Sequence, residues 1–314
     1  MSRKLISFDW AIKKLLRSKA NFGILEGFLS ELLFTDIKIV AILESETNKE
    51  HEDNKHNQVD IKVEDSNGQL ILIEVQYSRE QDYLFRILFS ASKTLTEHMD
   101  KGARYSDVSK VISISILYFD FCAGDDYIYH GITEFYGLHN HHKLELNKEQ
   151  KQLFHCEKVA DIFPEHYIIN VKNFNNIATD PLDQWIYFLK NEEVKEEFHA
   201  KGLLEAKEKL DILKLSPAEK AAYDNHIHEI RREASLYQSS YQLGELKGIE
   251  QGIEQGIEQG EAISDEKHFQ KTKQSIKTML QMGMSIEDIA KIVQLSLQEI
   301  VAIKEQLIKK GKLE

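Results

Sequence analysis

The sequence predicts an α/β fold, a mixed central sheet flanked by helices and followed by an all-helical C-terminal tail. Three observations predict it. Runs rich in β-branched residues at 37–43, 59–75 and 111–121 are separated by stretches with helical spacing of apolar residues. Strand signals stop after residue 190, where charge rises and Pro217 is the last proline. An apolar fraction of 42% is enough to build a core.

The elements follow in order. Residues 8–34 place Phe8, Ile12, Leu15 and Leu16, then Phe22, Leu25, Phe28, Leu29, Leu32 and Leu33, at helical spacing, which predicts two helices with a break near 18–21. Gly23 and Gly27 lower helix propensity without interrupting that pattern. Residues 37–43 form a strand and the charged, aperiodic stretch 44–57 a solvated loop. Residues 59–63 alternate cleanly, Asp65, Ser66, Asn67 and Gly68 signal a turn, and 70–75 form a continuous apolar run broken by Glu74, which together predict a β-hairpin. A helix is expected over 79–101, a buried strand over 111–121, and further strands over 127–136, 143–146 and 167–171. Asp180 followed by Pro181 opens a helix with proline at its first position.

The expected domains are 1–190, an α/β core; 191–261, a helical extension; and 262–314, a small helical tail. Ser216, Pro217 and Glu219 make a capping box, so a helix starts there and runs through 231–241. Gly244, Gly248, Gly252, Gly256 and Gly260 then recur every four residues. On a helix such a stripe drifts by about 40° per repeat. Each helical glycine costs about 1 kcal/mol relative to alanine. Two readings stay open: a low-complexity tether, or a helix whose glycine stripe packs on a second copy of the chain. Ile249, Ile253 and Ile257 favour the helix, and with it a homo-oligomer. Further on, a helix over 268–282 ending at Gly283 and two capped helices starting at Ser285 and Ser296 resemble a helix-turn-helix, and equally a three-helix interaction bundle.

Net charge is −12, and the pI is about 5.6. That argues against a protein that coats DNA nonspecifically, because phosphate binding runs on lysine and arginine. It does not argue against DNA chemistry at an acidic metal site. No stretch is long and apolar enough to span a membrane, and the N-terminal residues lack a signal-peptide pattern. Two cysteines, Cys122 and Cys156, are too few for a disulfide framework and fit reduced thiols in a cytoplasmic protein.

The hairpin is where chemistry is most readable. If Asp65 pairs with Gln69 across a three-residue loop, Gly68 occupies the left-handed position such a loop needs. That register sets Asp60 opposite Glu74. One face then carries Val59, Ile61, Val63, Ile71, Ile73 and Val75; the other carries Asp60, Lys62, Leu70, Leu72, Glu74 and Gln76. Facing carboxylates repel. A divalent cation relieves the repulsion and gains hard oxygen ligands, and Mg²⁺ takes one or two carboxylates while keeping several waters. The Val75 carbonyl offers a third oxygen. A metal-bound water is acidic enough to attack a phosphodiester. Gln76 is placed to orient that water or contact the phosphate, but carries no positive charge. The plainer alternative is that Asp60 and Glu74 are solvated positions of a half-buried strand; Glu74 inside an apolar run weighs against it.

These residues resemble something known. Asp60, Glu74 fourteen residues later, and Gln76 are similar to the Asp…Glu-x-Lys core of PD-(D/E)XK nucleases, with glutamine for lysine as in the recombination-promoting nuclease/putative transposase (Rpn) family. The resemblance extends to Asp9 within Phe8-Asp9-Trp10-Ala11, Arg86 in the helix after the hairpin, Gly102-Ala103-Arg104-Tyr105, the stretch 180–190, and the glycine repeat. It implies a restriction-endonuclease-like core and Mg²⁺-dependent (or Mn²⁺-dependent) DNA cleavage linked to mobile elements and recombination. It also implies Asp60 and Glu74 as metal ligands, Gln76 in the lysine position, and Asp9 as a further acidic contributor. Lys62, on the same face, is a candidate for the missing lysine.

Other motifs carry less. His139, His141 and His142 suggest either a zinc cluster or, more simply, solvated loop residues. No Gly-x-Ser-x-Gly and no phosphate-cradling glycine loop with lysine occurs. Lys93, Arg86 and Arg104 are candidates for phosphate contact or ordinary surface charge. The expected function is a DNA endonuclease; the alternative is a noncatalytic nucleic-acid-binding or assembly protein on the same fold.

Overall fold

The computed structural model describes residues 5–14, 16, 18–43, 60–99, 102–121 and 123–309. The expected loop at 44–57, together with Leu15, Val59 and Cys122, lies outside them. The described residues fall into two compact units, 1–237 and 238–314.

In the first unit, helices α1 (Phe8–Lys14) and α2 (Phe22–Leu33) flank a single 3-10 turn at Lys19–Asn21, where the sequence predicts its break. Strands β1 (Ile39–Leu43), β2 (Ile61–Asp65) and β3 (Leu70–Gln76) follow, then α3 (Tyr83–Glu97), β4 (Val111–Leu117), β5 (Ile128–Gly131), α4 (Lys148–Phe154), β6 (Glu165–Asn170), α5 (Pro181–Asn191) and α6 (Leu203–Lys209). The six strands form one mixed sheet in the order β1-β2-β3-β4-β6-β5. β1, β2 and β3 are antiparallel neighbours, β3, β4 and β6 are parallel, and β5 runs antiparallel to β6. The parallel pair β3 and β4 is joined by α3, the crossover such a pair requires.

Both faces of the sheet are covered. Ile71, Ile73 and Val75 of β3 join Ile112, Ile114 and Ile116 of β4 in a core with α1, α2, α5 and α6. At its centre Phe8, Phe28, Trp185 and Phe188 meet edge to face, with ring centroids 5.4 to 6.2 Å apart. On the opposite face α3 lays Tyr83, Ile87 and Ala91 on Leu70, Leu72, Val111 and Leu117. The hairpin face that carries Lys62, Leu70, Leu72 and Glu74 is therefore roofed by a helix. Gly27 in this unit is fixed by packing. A Cβ on Gly27 would stand 2.3 Å from the Lys201 carbonyl oxygen and 2.7 Å from the Gly202 Cα, so α2 and the start of α6 approach backbone to backbone.

Several sequence expectations shift. The helix expected over 79–101 is shorter, because Gln81 and Asp82 form a turn before Tyr83. The expected strand at 143–146 is no strand: Lys143 forms an isolated bridge with Tyr136, and its loop turns through His141 with positive φ. Helix α4 lies in a stretch for which the sequence predicts none and starts at a capping box formed by Asn147 and Gln150, whereas α6 falls within the stretch 191–261 read as a helical extension.

Helix α7 (Pro217–Gln281) begins in the first unit, at the expected box in which the Ser216 and Glu219 side chains cap each other's backbone N–H. It continues without a break through the glycine repeat, so the helical reading of the repeat holds in the structure. Residues 268–281 belong to this same helix and not to a separate one. The second unit ends in α8 (Ile286–Val293) and α9 (Leu297–Lys309), whose Ile289, Ala290, Ile300, Ile303 and Leu307 close on Ile276 of α7. Gly283, at φ +79°, turns the chain between α7 and α8.

Candidate active site

The hairpin forms in the expected register. The Asp65 N–H donates to the Gln69 carbonyl at 3.1 Å, and Gly68 has φ +73°. Ile61 pairs with Ile73, so the next position, Asp60, stands opposite Glu74 where β2 begins. Asp60 Oδ2 accepts a 2.6 Å hydrogen bond from the Val75 N–H. In an antiparallel pair a residue's N–H and C=O point to the same side, so the Val75 carbonyl is aimed at the β2 side as well. Asp60, Glu74 and the Val75 backbone are thus brought together at the point where β2 and β3 part.

Glu74 projects into the layer between sheet and α3 and is 5% exposed. Burial raises its pKa to about 7; the Arg86 guanidinium opposes that shift, and Asp60 and Glu80 add to it. Arg86 reaches down from α3 and forms an ion pair with Glu74. Its Nη1 also donates to both oxygens of Glu80, at 2.8 and 3.0 Å. Gln76 Nε2 donates to the same Glu80 Oε1 at 2.8 Å. Tyr83, fully buried one helical turn before Arg86, has its ionisation suppressed by burial and then by Glu74.

The other named residues lie elsewhere. Lys62 is 4% exposed and pairs with Glu97 of α3 at 3.1 Å, so its charge is already neutralised where the sequence suggested a replacement for the missing lysine. Asp9 is 1% exposed at α1, and its Oδ2 meets His226 Nε2 of α7 at 2.7 Å. Its field acts on Tyr77 and Tyr118, whose stacked rings are 4.3 Å apart. Tyr77 follows the alternation of Val75 and packs on the α1 and α2 side of the sheet, away from the Glu74 face. Arg104 is exposed and pairs with Asp107, while Lys93 pairs with Glu97 along α3. His139, His141 and His142 are exposed. Among the described residues no group of three or more His, Cys, Asp or Glu side chains is placed to hold a metal ion.

Glu80 is the member of the cluster that sequence reasoning missed. It sits in the short link between β3 and α3, where nothing in the local pattern separates it from a solvated loop residue. Arg86 left a weak signal: it lies three residues after Tyr83, beside the apolar stripe of α3.

A family model described as PD-(D/E)XK nuclease family transposase matches residues 6–239. The chain belongs to this family. The matched span takes in the whole sheet and the start of α7, and the mixed six-stranded sheet with flanking helices is consistent with the PD-(D/E)XK fold. Neither a curated protein nor a solved structure matches the chain. PD-(D/E)XK nucleases generally use divalent metals. The donor set here fits such an ion: two carboxylates and a carbonyl are hard oxygens, and Glu74 and Glu80 both face the Arg86 guanidinium.

Among the described residues no helix is long and apolar enough to cross a membrane.

Proposed function

We propose that this protein is a divalent-metal-dependent DNA endonuclease acting in the recombination or transposition of mobile DNA. The observation that carries the reading is the pairing of Asp60 with Glu74 across the β2–β3 hairpin, inside a chain of the PD-(D/E)XK nuclease family transposases. Asp60, Glu74 and the Val75 carbonyl hold Mg²⁺ or Mn²⁺ in this reading. The bound ion supplies an acidified water and a Lewis acid for the phosphate. The chain does the rest. Asp60, fixed by the Val75 N–H, sets where the ion sits. Gln76, fixed by Glu80, presents its amide oxygen to the attacking water. Asp9, the further acidic contributor the resemblance implies, is paired with His226 on α7.

Purified protein with Mg²⁺ is expected to nick plasmid DNA, and Asp60→Ala and Glu74→Ala are expected not to. Nicking by either variant at the parent's rate overturns the assignment. The second reading, a binding protein that has kept the fold, is favoured by one observation: Gln76 is neutral while Arg86 already balances Glu74. It predicts metal-independent DNA retention without strand cleavage.

We also infer that the chain assembles through α7. Ile249, Ile253 and Ile257 are each more than half exposed, and a side chain added at Gly244, Gly248, Gly252, Gly256 or Gly260 would meet nothing within 4 Å. An apolar stripe beside a flat glycine stripe suits close approach of a second copy. Deleting 244–260 is expected to lower the sedimentation coefficient to that of a monomer; unchanged sedimentation contradicts it.

A further inference from the structure

Position 76 poses a chemical problem. Cleavage of a phosphodiester accumulates negative charge on the phosphate oxygens, and active sites meet it with fixed cations or donors. Gln76 brings none. Lys62 points to the same face but is neutralised by Glu97, Lys93 shares that same carboxylate, and Arg104 is held on the surface by Asp107.

Arg86 is the cation that touches Glu74. It comes from a different element than the hairpin, and it is held on both sides. Glu80 grips its Nη1 with both oxygens, and the same carboxylate fixes the Gln76 amide, so Glu80 ties the helix cation to strand position 76. Glu80 on Nη1 and Glu74 on Nη2 hold the guanidinium at two of its three nitrogens. Burial alone lowers the pKa of Arg86, but Glu74 and Glu80 outweigh that and keep it charged. One donor is left over: the Arg86 Nε–H is buried and has no hydrogen-bond partner among the described residues. A buried guanidinium donor without an acceptor is costly unless an acceptor arrives.

We propose that Arg86, clamped by Glu80, is the cation of this site, supplying from α3 the positive charge that Gln76 does not carry on β3. Glu80 is then a positioning residue that acts through Arg86 and Gln76. The proposal rests on the nuclease reading for its activity arm, and on the metal-free geometry for its binding arm. In the metal-free protein Arg86 is the counter-ion of Glu74, so it competes with a divalent cation for that carboxylate.

The test uses the full chain with Arg86→Gln, Arg86→Lys and the double substitution Arg86→Gln with Gln76→Lys, each checked for folding by circular dichroism. In Mg²⁺-dependent plasmid nicking, Arg86→Gln lowers kcat by about 100-fold or more while the KM for DNA moves little. Arg86→Lys keeps part of the rate, and the added Gln76→Lys restores at least about ten-fold of it, a rescue that a purely structural role for Arg86 would not allow. In Mn²⁺ titrations of metal-free protein followed by electron paramagnetic resonance, Arg86→Gln binds more tightly than the parent. Nicking by Arg86→Gln at the parent's rate, or no rescue by lysine at 76, overturns the proposal while leaving the nuclease reading in place. If the parent itself does not nick, the nuclease reading fails and the Mn²⁺ arm decides alone: tighter binding supports Arg86 as the counter-ion of Glu74, and unchanged or weaker binding overturns it.

Discussion

Glycine plays opposite parts in two regions of this molecule. Gly27 in α2 packs against the backbone at Lys201 and Gly202, with no room for a single added carbon. At the five glycines of the repeat in α7 an added carbon would meet nothing within 4 Å beyond the helix's own backbone among the described residues. The first glycine is demanded by the fold. The others cost the helix propensity, and an added carbon at each would meet nothing within 4 Å among the described residues. The charges divide the same way. Glu74 is buried under α3, while the glutamates between the repeat isoleucines are all solvated. What is buried in the first unit serves its own architecture or its site; what is exposed along the repeat is available to a second molecule.

Three substitutions would break or sharpen this contrast. The largest effect is expected at Gly27→Ala. The new carbon collides with backbone on a neighbouring segment, which cannot rotate away as a side chain can, so the cost lies near about 3 kcal/mol, the upper end for overpacking. Urea unfolding of the first unit measures it, and a loss below about 0.5 kcal/mol would show that α2 and α6 can separate freely.

Next comes Glu74. Its pKa is raised from 4.5 to about 7 in the folded protein, chiefly by burial. The native state therefore holds a proton that the unfolded chain has released between those values. The associated stability is complete below about pH 4.5 and is lost as pH rises through about 7. Metal-free parent is expected to lose up to about 3 kcal/mol across that window, and Glu74→Gln to remove this dependence. Thermal melts from pH 4.5 to 8 in chelator check both, and a Glu74→Gln profile that still falls with the parent's slope would assign the titration elsewhere.

The smallest effect is expected in the repeat. Gly252→Ala gains about 1 kcal/mol of helix stability, because nothing crowds the new methyl group. If the glycine stripe meets a partner chain, the same change weakens association even as it strengthens the helix. Melting temperature and sedimentation at several concentrations separate the two, and an alanine that stabilises the helix while leaving association intact removes the glycine stripe from the interface.

Much of the hairpin was legible in the sequence because its determinants are local. Gly68 specifies the loop, the loop specifies the register, and the register alone sets Asp60 against Glu74. The capping residues Asp180, Ser216 and Ser285 marked helix starts for the same reason, since each side chain bonds a backbone N–H three residues away. What the sequence did not show depends on which surfaces meet. Nothing local says that α3 lies over Glu74, so Arg86 was readable only as a possible phosphate contact and Glu80 not at all. Lys62 had the right face, but its partner Glu97 is thirty-five residues away. Asp9 and His226 are separated by 217 positions, and family resemblance alone pointed to the first of them. The stretch after the repeat was expected to start a new helix at 268, yet no glycine or proline lies between Gly260 and that point, and the helix simply continues.

In the proposed nuclease Asp60 and Glu74 share one divalent ion across the hairpin. Isothermal titration of metal-free protein with Mn²⁺ tests it without any assumption about DNA, using Asp60→Asn and Glu74→Gln alongside the parent. The expected result is one tight site in the parent that either substitution alone removes. Parent-like binding in both variants would contradict the claim.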